Sequence, residues 1–262
     1  MLVAAIICEG EKEMRRRDFV TNTAAMGLMV AASSSSVVIG RDDKGGKGAR
    51  VSNIAGGNKL TPPAKGSIPV AVTISEGVTV IDFAGPWEVF QDVWIPARGA
   101  NMEEQMPFQL FTVSESLEPV TGSGGLKLVP DYTFKTSPTP KVVVVPAQKG
   151  SEALHEWLRT VTQTTDVTMS VCTGAFQLAK AGLLSGKSAT THHDFIDRLI
   201  KQYPDIDVKR GLRFVEGAKI STAGGLSSGI DLALRVVDRY FGREVAQKTA
   251  SYMEYQSQGW IA

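Results

Sequence analysis

One cysteine, Cys172, stands where a nucleophile is expected. In Val167-Thr168-Met169-Ser170-Val171-Cys172-Thr173-Gly174-Ala175-Phe176, a β-branched strand turns within two residues into an alanine-rich helix. A side chain at that junction sits at the carboxyl edge of a sheet, where open α/β folds place their ligands. It also faces the free amides and dipole of a helix N-terminus, which favour an anion. The thiolate is the nucleophilic form, and such surroundings are expected to lower the thiol pKa. Gly174 lets the backbone pass close by, as glycines flanking a nucleophile elbow do. On these residues alone, a small buried core cysteine stays open as the alternative.

Asp82 follows another strand and reaches the same sheet edge. It is either an acid able to exchange protons, given enough desolvation to raise its pKa, or the N-cap of the helix running through Trp87 to Phe90. Gly85-Pro86, lying between Asp82 and that helix, weigh against the cap. His192 comes 20 residues after Cys172. It is either a catalytic partner or a residue that only hydrogen-bonds locally. His193 and His155 read as solvated helix residues. The histidines and cysteines show no metal-ligand spacing, so no metal is expected.

The elements that must position these side chains follow from periodicity. Residues 68–74 and 108–113 read as buried strands. Residues 141–145 include four consecutive valines, ended by Pro146, as in a parallel strand buried on both faces. Residues 151–162 place Ala153, Leu154, Trp157, Leu158 and Val161 at helical spacing. A strand over 167–171 runs into a helix over 173–181. Helices are expected over 193–202 and 230–240, with short strands near Phe214 and Ile220. Strands alternating with helices imply βαβ units, a mostly parallel sheet with helices on both faces, and one compact domain over 67–262.

The beginning of the chain reads differently. Arg15-Arg16-Arg17-Asp18-Phe19 precedes an uncharged, mildly apolar stretch ending in Val30-Ala31-Ala32, the pattern of an export signal over residues 1–32. The Arg16-Arg17-x-Phe19 core resembles a twin-arginine signal, which would place the protein in the periplasm or outside the cell. Residues 33–66, rich in Ser, Gly, Lys and Asp, read as a flexible linker. Of the two cysteines, Cys8 lies in the signal, so the exported chain would hold one thiol and no internal disulfide. The 262 residues carry 28 Lys plus Arg against 27 Asp plus Glu, a net charge of +1, with no field of one sign to hold nucleic acid. No apolar run has the roughly 20 residues that span a bilayer, so stable membrane insertion is not expected.

Several segments together resemble one superfamily. Ser170-Val171-Cys172-Thr173-Gly174-Ala175, followed by Ala181-Gly182-Leu183-Leu184-x-Gly186-Lys187-x-Ala189-Thr190-Thr191-His192, looks like the nucleophile segment of the DJ-1/PfpI superfamily. It is most similar to the branch of isonitrile hydratases and related class I glutamine amidotransferase-like domains. Ile81-Asp82-Phe83-Ala84-Gly85-Pro86-x-Glu88-Val89-Phe90 resembles the branch's acidic motif, and Thr222-Ala223-Gly224-Gly225-x-Ser227-x-Gly229-Ile230-Asp231 its late glycine-rich turn. Tyr252-Met253-Glu254-Tyr255 is like its closing segment. The resemblance implies a flavodoxin-like three-layer sandwich with a cysteine nucleophile elbow, no cofactor, a small-molecule substrate and a homodimer. It maps Asp82 to the acid contacting the nucleophile. The implied reaction is hydration of an isonitrile to an N-substituted formamide. In it Cys172 attacks the isonitrile carbon, Asp82 handles the proton, Thr173 supplies a hydroxyl and an amide, and Ile81, Phe83 and Trp87 wall a narrow pocket. Two alternatives stand beside it: glyoxalase- or hydrolase-type chemistry with His192, and a ligand-binding or thiol-oxidation-sensing module without turnover. One turn departs from the family pattern. Pro146-Ala147-Gln148-Lys149-Gly150 replaces the usual Pro-Gly-Gly whose amides help form an anion hole. Side chains at Ala147 and Gln148 restrict a backbone that glycine leaves free, although Gln148 could add a donor. The usual Pro-Gly before the acidic segment is Glu76-Gly77, making Glu76 either a second pocket carboxylate or an exposed turn residue.

Overall fold

The computed structural model describes residues 56–261. In chain order the elements are β1 (Ile68–Thr73), α1 (Val80–Gln91), α2 (Met102–Gln105), β2 (Phe108–Ser114), β3 (Val120–Thr121), β4 (Lys127–Leu128), β5 (Tyr132–Thr133) and β6 (Val142–Val145). Then follow α3 (Glu152–Val161), β7 (Val167–Ser170), α4 (Gly174–Lys180), β8 (Ser188–Ala189), α5 (Ile196–Gln202), β9 (Asp207–Val208), β10 (Phe214–Glu216), β11 (Ile220–Ala223), α6 (Ser228–Phe241) and α7 (Arg243–Tyr252).

The four valines of β6 show how the layers form. All are fully buried, with Val142 and Val144 in one apolar core and Val143 and Val145 in the other. Successive side chains of a strand point to opposite faces, so a strand of this composition needs cover on both sides. One core joins β6 to residues of α1, α6 and α7, the other to residues of α3, α4 and α5. The result is a three-layer α/β sandwich, as the sequence implied. Seven strands form the central sheet in the order β10-β11-β7-β6-β1-β2-β5, with only the β10–β11 pair antiparallel. The order in which successive strands are laid down switches sides at β1, which lies between β2 and β6 and parallel to both. That switch point opens a crevice at the strands' carboxyl ends.

The helix carrying Asp82 starts earlier than the glycine and proline suggest. It runs unbroken from Val80 to Gln91 with Pro86 inside it. Proline removes the amide that would reach the carbonyl four residues back, that of Asp82. The helix nevertheless gains close packing: a Cβ added to Gly85 would lie 2.8 Å from Ile230 Cγ1 of α6. The segment expected as one helix over 193–202 is a 3-10 turn, His193–Phe195, leading into α5.

The expected signal over 1–32 lies outside the described residues, as does most of the linker. The last residues of that linker are described, and they lie against the domain. Leu60 N–H donates to the Arg239 carbonyl at 2.8 Å and Gly57 N–H to Glu216 Oε2 at 3.1 Å. Arg239 Nε donates to the Asn58 carbonyl at 2.9 Å, and Arg98 donates to the carbonyls of Pro63 and Gly66. Among the described residues no helix is long and apolar enough to cross a membrane.

Candidate active site

Four neighbouring strands deliver the site beyond their carboxyl ends: Asp82 in the first turn of α1 after β1, and Ala147, Cys172 and Leu226 in the turns after β6, β7 and β11. Cys172 has φ 57°, the left-handed region that a side chain enters at a cost of about 1–3 kcal/mol. That conformation makes the sharp reversal from β7 to α4, a nucleophile elbow. The surrounding backbone holds it there. Cys172 N–H donates to the Gly224 carbonyl at 2.7 Å, and Thr191 Oγ1 donates to the Cys172 carbonyl at 2.8 Å. Gly174 N–H donates to the Val171 carbonyl at 2.9 Å. A Cβ on Gly174 would collide with the Val145 carbonyl oxygen, so only glycine lets the elbow lie this close to β6.

Asp82 is wholly buried in the first turn of α1, whose N-cap is Thr79. It is therefore not a cap. Its Oδ2 accepts from Ala147 N–H at 3.1 Å. The Cys172 thiol and the Leu226 amide also approach the carboxylate, yet Oδ1 closes no well-formed hydrogen bond. That leaves a buried acceptor open to a proton donor arriving in the pocket. Burial raises the Asp82 pKa from 3.8 to about 6, against the lowering pull of Ala147 N–H, the thiol and Leu226 N–H.

The thiol departs from its sequence-based expectation. Burial first, and then the negative charge of Asp82, push Cys172 up to about 11, although the amides of Thr173 and Leu226 pull it down. The expected lowering by helix N-terminal amides loses to a desolvated sulfur facing a carboxylate; Cys172 is only 7% exposed. The helix behind it, α4, is also only seven residues long. In the resting site the proton belongs to sulfur, and Asp82 is the group placed to take it.

The remaining expected residues fall as follows. Thr173 directs its amide to the sulfur and lines a groove beside the elbow. Ala147 holds α1 with both backbone groups: its N–H reaches Asp82, and its carbonyl accepts from Thr79 N–H at 2.9 Å. Gln148 Nε2 donates to Thr73 Oγ1 at 2.6 Å, which commits that side chain to β1 rather than to the sulfur. Neither Ala147 nor Gln148 has a positive φ; in this turn only Gly150 does, at 68°. Glu76 is an exposed turn residue whose Oε2 accepts from Thr121 N–H at 2.9 Å, and that bond holds its carboxyl below the usual range. Of the three expected pocket walls, Phe83 packs in the core, Trp87 packs partly buried against it, and Ile81 is 41% exposed.

Among the described residues His192 makes no hydrogen bond to Cys172 or Asp82, although its ring packs against Gly225 beside Leu226, where an added Cβ would collide with His192 Cδ2. Its Nδ1 accepts from Asp194 N–H at 3.3 Å, its ring stacks on His193 at 4.3 Å, and Phe195 meets it edge-on. The potential ligand atoms of His192, His193 and Asp194 do lie within 4.8 Å of one another, a grouping that chain spacing did not suggest. Two of the three are exposed, and His193 Nε2 already contacts Asp194 Oδ1 at 3.1 Å. His155, expected to be solvated, is buried with Nε2 2.9 Å from Gln177 Oε1.

Leu226 is the site residue that chain reasoning missed. Its φ of 52° aims its amide between sulfur and carboxylate. The preceding glycines marked the turn. They drew attention from Leu226, because glycine is the usual owner of a positive φ. The Ala-Thr-Thr-His motif also has a positional purpose. Thr190 N–H donates to Thr222 Oγ1 at 2.8 Å, and Thr191 ties down the elbow carbonyl.

A parallel sheet with a strained cysteine at one strand end and a buried acid at another defines an α/β protein with a cysteine nucleophile elbow. Residues 69–239 match the DJ-1/PfpI family, and the chain belongs to that family. It is 34% identical over 184 residues to an isonitrile hydratase of Pseudomonas putida, covering 68% of this chain and 74% of that protein. It is 30% identical over 156 residues to the HTH-type transcriptional regulator CdhR of Pseudomonas aeruginosa, covering 58% of this chain and 46% of the regulator. Among solved structures, a THiJ/PfpI family protein from Pseudomonas syringae superposes with a TM-score of 0.63 at 27% identity, covering 75% of this chain and 78% of that one. Drosophila melanogaster DJ-1beta shares the fold, with a TM-score of 0.61 at 19% identity, covering 73% of this chain and 100% of that one.

Proposed function

We propose that this protein is a cysteine-dependent hydro-lyase that adds water to a small isonitrile to give an N-substituted formamide. The observation that carries this is the buried Asp82–Cys172 pair, in which a thiol with a raised pKa faces a carboxylate with a raised pKa. As substrate enters, Asp82 takes the thiol proton and sulfur forms a bond to the terminal isonitrile carbon. The protonated Asp82 then delivers that proton to the same carbon, leaving a thioimidate, R–N=CH–S–Cys172. Water adds across the C=N bond, the C–S bond breaks, sulfur regains a proton and R–NH–CHO leaves. No electrons are exchanged with an outside partner. An acid with a pKa near neutrality suits both halves of the proton transfer, and the Thr173 and Leu226 amides steady the sulfur while it is anionic. Likeness to the Pseudomonas putida isonitrile hydratase supports this choice of substrate class.

Glyoxalase-type chemistry needs a histidine on the cysteine, and among the described residues His192 makes no hydrogen bond to Cys172; its Nδ1 accepts from Asp194 N–H and its ring stacks on His193. The test is formamide production, read by mass spectrometry, with methylglyoxal consumption measured in parallel. Cys172→Ala should abolish turnover. Asp82→Asn should lose about 10²–10⁴-fold, the usual span of an acid–base step, and His192→Ala should cost far less. Equal damage from His192→Ala and Cys172→Ala, with methylglyoxal as the better substrate, would sink hydration. Wild-type protein that turns over neither substrate while Cys172 oxidises readily with peroxide would leave the sensing module.

A further inference from the structure

We propose that the groove beside the elbow is an anion subsite, so that the isonitrile taken by this enzyme carries a carboxylate. This rests on the hydration reading. The groove encloses about 380 Å³ and begins at Thr173 and Gln148, which flank the nucleophile loop. Lys149, Lys180 and Arg198 line it, and no aspartate or glutamate does. Lys141, Arg159, Lys209, Arg210, Arg213, Arg235, Arg239, Arg243 and Lys248 each form an ion pair, whereas none of the groove's three does among the described residues. The nearby acids are committed elsewhere. Asp197 pairs with Arg210, Asp194 with His193, and the Glu76 carboxylate accepts from Thr121 N–H while attracting Lys127 and Lys149 without forming an ion pair.

The floor is apolar and fixed. Phe195 and Tyr203 meet the ring of Phe176 edge-on at 6.5 Å and 6.4 Å, and the Arg198 guanidinium lies 5.4 Å over that ring. Stacking of this kind holds a guanidinium in place while its N–H fork stays free for a carboxylate. On a chain whose net charge is only +1, three unpaired cations around one apolar floor form a local field. A small molecule with an apolar body and an anionic end matches it. Asp82 opposes an anion at the sulfur itself, so the recognised charge belongs at the substrate's far end.

Alkylation of Cys172 tests the subsite without relying on isonitrile turnover. An iodoacetamide whose nitrogen carries a short carboxylate-ended alkyl chain bears the anion at its far end, its methyl ester does not, and each rate is followed on the Cys172 peptide by mass spectrometry. In full-length protein carrying Lys149→Gln, Lys180→Gln and Arg198→Gln together, the acid-to-ester rate ratio should fall about tenfold from wild type, the scale of focusing by a charged cleft. Lys248→Gln should leave the ratio where it was. An unchanged ratio in the triple variant overturns the subsite. In the second arm, an isonitrile with a terminal carboxylate should exceed its methyl ester in kcat/KM about tenfold, with the preference lost in the triple variant. Equal turnover of acid and ester overturns the substrate assignment. Turnover of neither, with the alkylation ratio responding as expected, condemns the hydration reading and leaves the anion subsite standing.

Discussion

Cys172 and Asp82 hold one proton between them, and two measurements follow. Iodoacetamide labelling of Cys172 should show a midpoint above the free-thiol value of about 8.5, because burial and the Asp82 charge both raise it. Asp82→Asn removes the charge and should bring that midpoint down. A wild-type midpoint below that of free cysteine would restore the picture of a thiolate poised by amides. The second measurement is stability. With its folded pKa at about 6 rather than 3.8, Asp82 favours the folded state below about pH 4; that contribution is lost as pH rises through 6. Beyond that, the ionised buried carboxylate costs about 3 kcal/mol. Asp82→Asn should therefore unfold at higher urea than wild type at pH 8, and the gap should close toward pH 4. The positions of both residues were legible in the chain, since each follows a hydrophobic run that must be a strand. The thiol's pKa was not, because the distance of a sulfur from a carboxylate 90 positions earlier is a property of the closed fold.

At the scale of elements, glycines set how closely the site's supports approach. Gly174→Ala should destabilise by about 1–3 kcal/mol or more, because its Cβ meets the backbone oxygen of Val145, which cannot rotate away. Thermal unfolding checks this, and a melting temperature equal to wild type would mean that the elbow has slack. Gly229 has the same purpose in α6, where a Cβ would lie 2.9 Å from Val171 and 3.3 Å from Pro86. Strands of continuous valine and helices with a clear apolar stripe could be placed from pattern alone. α1 could not be placed in full, because Gly85-Pro86 read locally as a break while its packing on α6 makes them an asset. The β3–β4 and β8–β9 pairs, two residues per strand, are too short to carry a period.

For the whole molecule, the expected export signal makes a separable claim. Replacing Arg16 and Arg17 with Lys should leave the protein in the cytoplasm, because the guanidinium fork has no ammonium equivalent. An unchanged periplasmic fraction would exclude the twin-arginine route. The sheet order has a consequence of another kind, concerning time. β1 lies beside the central strand β6, yet about 70 residues separate the end of one from the start of the other. At ribosomal speeds of about 5–20 residues per second, the nascent chain carries that apolar strand with an open edge for roughly 4–14 s. The amide of Leu226 is made later still, after the sulfur and the acid it serves. During synthesis the reactive centre thus gains its geometry only after the strand Ile220–Ala223 and the turn beyond it have been made, and chaperone cover matters before any chemistry is possible.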